Sequence, residues 1–402
     1  MNIGIVTTWM QRGATFVTLA YAKALVMKHN VFIFARGGEE YDGSVAPELE
    51  NSVFYSKPNI LDFSGTPVNR REFLEWLNEN SIDCVLFNEQ QSWEPILWCK
   101  DVGVATACYV DYYTDETVHL FSIFDLVLCN TKRHYSVFKG LENSFYIPWG
   151  TNVPDNSVLD REFRRELIFS LGHNAYRKGF DFFLQALKAE KSCINNFNIK
   201  VYTQRALNLA TDDIALIEGL GDQIEFNVGD FSINEILCNR GVYMYLSRLD
   251  GIGLSLPEAL AYGMIPIISN HPPMNEFVDK DFAGLVGIDE LVKRADNYYF
   301  PECVISIEGL IKELRRITSL SNEELEQKSI EAYDYALEHL NWEKNFSGLS
   351  NIFETHRLSS DADIRKEVLA FENQRKANLS WKQKLSYIKR NLNKRFDILF
   401  NI

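Results

Sequence analysis

The chain has no apolar run near the roughly 18 residues that cross a bilayer, which excludes a transmembrane helix. Its first residues, Met1-Asn2-Ile3-Gly4-Ile5-Val6, lack the basic stretch and long apolar core of a secretory signal, so none is expected. Cysteine is sparse: seven residues (84, 99, 108, 129, 193, 238 and 303), odd in number and never spaced C-x-x-C. Most lie in apolar runs, as Cys108 and Cys129 do. That reads as a reduced, cytoplasmic chain that uses cysteine in its core rather than in disulfides or zinc sites. There is no H-E-x-x-H and no D-x-D at a strand end, so no metal site is expected and no cofactor. Positive charge is also in deficit. A net charge of −14 argues against a general nucleic-acid binder.

What is present is a repeated grammar. A chain of 402 residues with 46% hydrophobic content can bury two cores. The first half alternates the buried runs NIGIVTTW, NVFIFA, DCVLFN, VATACYV and DLVLCN with helical patterns such as ATFVTLAYAKALVMKH. The second half repeats this with LIFSLG, NIKVYT, QIEFNVG, VYMYLS and IPIIS. Continuous apolar strands separated by helices imply parallel sheets covered on both faces. Two doubly wound α/β domains of Rossmann type, facing a cleft, are therefore predicted, with ligands at the carboxyl ends of strands. YIPWGTNVP, residues 146–154, is the natural linker. The predicted division is 1–148, 149–344, helices 345–372 that cross back to the first domain, and a basic tail 373–402.

The segment LSRLDGIGLSLPEALAYGMIPIIS, residues 246–269, carries the densest signal. An apolar strand breaks into a glycine-containing loop, a helix starts, and it stops at Gly263 before the next strand. Backbone N–H groups at a helix start form a ready anion site. Gly251 and Gly253 let the backbone approach a diphosphate that a side chain would hold off. Glu258, in the first helical turn, can accept two hydrogen bonds from a vicinal diol such as a ribose. The same glutamate also suits a helix start through the dipole alone.

Several segments resemble the retaining GT-B glycosyltransferases of family 4. YIPWGTNVP is similar to their I-P-N-G-V-D linker, and SLGHNAYRKGFDFFLQAL to their G-R-x-x-x-x-K-G segment. SRLDGIGLSLPEALAYGMIPI resembles S-x-x-E-G-x-G-x-x-x-x-E-A-x-A-x-G-x-P-V, and NEFVDKDFAGLV the E-x-V-x-x-x-x-x-G-L-L-V that follows. NWEKNFSGLSNIFETH looks like the closing helix of these enzymes. The resemblance runs in order from residue 1 to about 357.

It implies sugar transfer from a nucleotide-diphosphate donor to a glycan or lipid-linked acceptor, as in polysaccharide assembly, without a metal. Lys178 would face the diphosphate leaving group, and Asp250 the donor sugar and the reacting centre. Gly251, Gly253, Leu254, Ser255 and Glu258 would seat the donor, with His173 and Gly13. Asp111 fits by position the strand-end residue set against the donor sugar. Arg12 and His119 are candidates for the acceptor side. Three departures stand out: His173 replaces an arginine, Asp250 is one methylene shorter than the usual glutamate, and Gly13 is the only glycine left of a pair. The first two also suit a non-catalytic GT-B-like partner subunit or glycan-binding protein. Sugar-nucleotide epimerisation on the same fold is a third reading.

The tail contradicts the body. Residues 375–402 carry eight Lys/Arg and one acid, a net of +7, which leaves −21 on the other 374 residues. Trp381, Leu385, Ile388, Leu392, Phe396 and Leu399 recur at spacings of three or four, one stripe of a helix with basic flanks. Residues 379–400 are therefore expected either to lie on an anionic membrane surface, on the cytoplasmic face, or to pack on the protein's own acidic body or a second copy.

Overall fold

The computed structural model describes residues 1–10, 13–37, 46–355 and 362–400, without the side chains of 47–48 and 396–400. The chain divides into two compact units, Met1–Pro148 with Phe346–Ile402, and Trp149–Asn345. The first holds a seven-stranded parallel sheet: β1 (Asn2–Thr7), β2 (Asn30–Ala35), β3 (Val53–Tyr55), β4 (Cys84–Phe87), β5 (Ala105–Tyr109), β6 (Leu126–Cys129) and β7 (Ser144–Tyr146). Their order is β3-β2-β1-β4-β5-β6-β7, so the direction of winding reverses between β1 and β4. That reversal is where open α/β sheets bind ligands. β4, β5 and β6 are buried at every residue, as strands covered on both faces must be. The helix after β1, α1 (Gly13–Leu25), is tied back to the sheet by polar contacts. Asn88 Nδ2, just past β4, donates to Ala14 O at 2.7 Å and Thr18 Oγ1 at 2.8 Å, and Thr18 donates to Thr7 Oγ1 at 2.8 Å.

The second unit repeats the plan. Its strands are β8 (Phe163–Gly172), β9 (Asn198–Thr203), β10 (Ile224–Val228), β11 (Arg240–Tyr245), β12 (Ile265–Ser269) and β13 (Gly284–Val286). They lie in the order β10-β9-β8-β11-β12-β13, all parallel, with the reversal between β8 and β11. A two-stranded antiparallel hairpin, β14 (Ile288–Val292) and β15 (Glu302–Ile305), follows. After β8 comes α2 (Phe180–Ala189), whose Phe180, Phe183, Leu184 and Leu187 join the core with Phe169 and Val201. After β11 comes α3 (Ser255–Ala261), which ends where Gly263 takes a φ of 67°.

The linker seats tightly in this second unit. A Cβ on Gly150 would lie 2.8 Å from the carbonyl oxygen of Leu340, and Trp149 meets Trp342 edge-on with ring centroids 5.7 Å apart. Two C-terminal helices, α4 (Ala362–Asn378) and α5 (Trp381–Phe400), complete the first unit. On α4, Ile364 and Val368 are buried, Glu372 accepts from the Trp93 backbone N–H at 2.8 Å, and Lys376 pairs with Glu94 at 2.6 Å. Six of the seven cysteines are buried; Cys238 is exposed.

The doubly wound architecture thus stands as the sequence predicted it, in two copies. β3, β7, β13 and the hairpin were not anticipated. The short ones are three residues long, and β3 and β7 are only half-buried, too brief to display a period.

Candidate functional site

The reversal point of the second sheet assembles the site. Two loops leave it side by side: 173–179 after β8 and 246–254 after β11. They can touch because residue 179 is glycine. Gly179 adopts a φ of 69°, and a Cβ there would stand 2.1 Å from the Leu246 carbonyl oxygen. The backbone then laces the loops together: Arg248 N–H donates to Arg177 O at 2.8 Å, and Ser247 Oγ lies 3.2 Å from the same oxygen.

Arg248 locks the pairing. Its guanidinium makes two parallel bonds to Asp181, at 2.8 and 2.7 Å, and also donates to Tyr176 O. It lies 3.8 Å from the ring centroids of both Tyr176 and Phe182. A planar fork that is both bidentate and stacked is a task for arginine, not lysine.

This framework presents Lys178 to Asp250. The ammonium donates to Asp250 Oδ2 at 3.0 Å and to Tyr245 Oη at 2.9 Å. Tyr245 and Ser247 each donate to the same carboxylate oxygen at 2.7 Å, and Arg177 Nη1 stands 3.6 Å from the other. Burial works against ionisation of Asp250, yet Lys178 and Arg177 beside it hold its carboxyl well below the usual range. Burial draws the Lys178 ammonium pKa down, and Asp250 offsets part of that. Burial likewise pushes the Tyr245 phenol far up, so it stays a donor. The result is a fixed, ionised pair of low exposure.

Gly253, at a φ of 87°, passes close above Tyr245: a Cβ there would lie 3.2 Å from Tyr245 Oη. Leu254 precedes α3 in helical conformation and Ser255 is the first helical residue; Gly251 sits in the same turn, half-buried. The Glu258 carboxyl, in the first turn, makes no hydrogen bond or ion pair with any described residue. Burial alone raises its carboxyl to about 7. His173 is exposed in the first loop. The structure therefore brings Lys178 and Asp250 into contact and sets Gly253 against the same tyrosine.

The other candidates belong to the first unit. Gly13 is the exposed first residue of α1, and Arg12 lies outside the described residues. Asp111 follows β5. Burial and the nearby charge of Glu89 push its carboxyl up, against the pull of Arg36. Arg36, 2% exposed, donates to the carbonyl oxygens of Asn88 and Glu89 at 3.0 and 2.7 Å. His119 is exposed on a short 3-10 turn and pairs with Glu367 of α4 at 3.2 Å.

Sequence reasoning missed Tyr245, Arg248, Arg36 and Glu89. Tyr245 had a signal: a phenol in a fully buried strand must find a partner. Among the described residues, no group of three His, Cys, Asp or Glu is arranged to hold a metal.

Residues 158–298 match the family described as glycosyl transferases group 1. No curated protein matches the chain in sequence. Among solved structures, it is similar to a glycosyltransferase from Rickettsia africae, at 13% identity and a TM-score of 0.64 over 88% of this chain and 99% of that one. WaaG, a glycosyltransferase involved in lipopolysaccharide biosynthesis, aligns at 14% identity and a TM-score of 0.60, with coverage of 88% and 99%. The pneumococcal O-GlcNAc transferase GtfA, solved with UDP and GlcNAc, aligns at 11% identity and 0.57, again over 88% and 99%. The architecture is the GT-B fold of the glycosyltransferases.

Proposed function

We propose that this chain is a retaining, metal-independent glycosyltransferase that moves a sugar from a nucleotide-diphosphate donor to a glycan or lipid-linked acceptor. The observation that carries the reading is the convergence of Lys178 and Arg177 on the reversal point of the second sheet. There they meet Asp250 at the start of a glycine-containing loop that leads into the helix of Glu258. In the transfer, the bond from the anomeric carbon to the donor phosphate oxygen breaks and the diphosphate leaves with the electron pair. The acceptor hydroxyl oxygen takes its place on that carbon, and its proton passes to the departing phosphate oxygen. Negative charge thus develops on the leaving group, and prearranged cations stabilise it without reorganisation.

Lys178 and Arg177 supply that positive potential. Asp250 keeps the buried ammonium charged and, freed from part of that pairing, offers its carboxylate to a donor hydroxyl. Gly251 and Gly253 admit the diphosphate near the backbone of Leu254 and Ser255, and Glu258 accepts from the ribose diol.

Incubation with a panel of nucleotide sugars in excess chelator, followed by proton NMR, tests this. Donor consumption undiminished by chelator, with retained configuration in the sugar product, is the expected outcome. Loss of consumption that added metal restores contradicts metal independence, and an inverted product contradicts retention. An altered sugar still bound to its nucleotide indicates epimerisation. No change in any donor favours the partner-subunit reading.

A further inference from the structure

The C-terminal helix α5 docks with its polar side and leaves Trp381 and Leu385 of its apolar stripe exposed. Asn391 is fully buried and donates to Asn59 O and Asp62 O, each at 3.0 Å. Arg390 donates to Ser64 O at 2.9 Å, and Tyr387 meets Phe63 edge-on with centroids 6.4 Å apart. These three residues define the face turned to loop 59–64. At 100° per residue, the stripe of Trp381, Leu385, Ile388 and Leu392 is centred roughly 140° around the helix from that face. Trp381 is 78% exposed and Leu385 58% exposed, while Ile388 and Leu392 are half-buried. Burial of apolar side chains normally decides which face of a helix packs inward. Here it does not.

The charges say what suits the uncovered face. Lys382 and Lys389 border the stripe on one side, Lys384 and Arg395 on the other, and Asp397 is the only acid on the helix. Two such stripes packed together would set basic borders against basic borders, which disfavours a second copy of the helix as the occupant. The polar face already meets the first unit, at the carbonyl oxygens of Asn59, Asp62 and Ser64. We propose that α5 lies on an anionic lipid surface. Its aliphatic stripe enters the headgroup boundary, Trp381 sits at the interface, and the basic borders meet lipid phosphates. The Asn391 and Arg390 contacts seat the helix on the first unit already formed. The proposal does not depend on the transferase reading, and its readout is binding alone.

The test is flotation of the full chain with phosphatidylglycerol-rich vesicles and with phosphatidylcholine vesicles at low salt. The full chain is expected to float with the anionic vesicles only, and to lose that association as salt rises. Trp381→Glu with Leu385→Glu alters only exposed residues and is expected to abolish flotation. Lys382→Gln with Lys389→Gln is expected to weaken it, about fivefold per lysine removed. Absence of flotation with anionic vesicles, or flotation unchanged in the Trp381/Leu385 variant, overturns the proposal. So does a concentration-dependent dimer, seen by sedimentation without vesicle binding, that the same variant disperses.

Discussion

Asp250 and Glu258 are two acids eight residues apart with opposite electrostatics, and their partners explain why. Asp250 is met by an ammonium, a guanidinium and two hydroxyls, so it stays ionised far into acid. Glu258 has crowding without compensation, and its carboxyl rises to about 7. Because its folded-state value lies above the ordinary one, the folded protein holds this proton more tightly than the unfolded chain does. Its contribution to stability therefore falls as pH rises from the usual glutamate range to about 7. Donor binding runs the other way if Glu258 accepts from a diol, since the ionised form is the better acceptor. Nucleotide-sugar affinity measured by calorimetry is expected to rise as pH passes upward through about 7, and Glu258→Gln to flatten that profile. A wild-type profile already flat from pH 6 to 8 contradicts the assignment. At this scale, the glycine loop before a helix start drew attention to Glu258, and the resemblance to family 4 enzymes drew it to Lys178 and Asp250. Their mutual contacts were not legible, because the Lys178–Asp250 pair spans 72 residues and depends on loop geometry.

The elements that carry those residues are set by two local devices. One is Gly179, where a side chain meets both a left-handed backbone and a facing carbonyl oxygen. Gly179→Ala is expected to cost about 2 kcal/mol or more, measured by chemical denaturation, and to lower activity by parting the loops. The other is Arg248. Arg248→Ala leaves Asp181 and two rings unpartnered, and is expected to cost about 1–3 kcal/mol, below the full value for a buried pair because Asp181 is 39% exposed. Arg248→Lys should not restore it, because lysine cannot form the planar fork. Recovery of both stability and turnover in the lysine variant contradicts the clamp. The order G-H-x-x-x-x-K-G shows the glycine plainly. Arg248 gave no sign, because an arginine after a strand is ordinary until its stacking rings from residues 176 and 182 are placed around it.

For the whole molecule, the legible part was the grammar. Strands buried on both faces read as unbroken apolar runs, so both parallel sheets were visible from the sequence. Helices do not interrupt that signal, and the aligned structures share the fold at 11–14% identity, pattern without residues. The tail was half legible. Its stripe and basic flanks could be read off the spacing, but a helix that seats Asn391 and turns Trp381 outward could not, since hydrophobic periodicity alone points the other way. Charge asymmetry belongs to the same scale: +7 on residues 375–402 and −21 elsewhere keep the bulk of the chain repelled from the anionic surface that α5 is proposed to meet.

The account's central claim is that Lys178 neutralises the departing diphosphate. It is tested most directly by single-turnover consumption of the nucleotide sugar that the wild-type protein uses fastest, compared with Lys178→Ala. The account predicts a rate roughly 100-fold lower or worse, measured at a temperature where the variant is still folded, since Asp250 loses its ammonium and keeps Arg177 and two hydroxyl donors. An unchanged rate in Lys178→Ala, with the donor still bound, would contradict it.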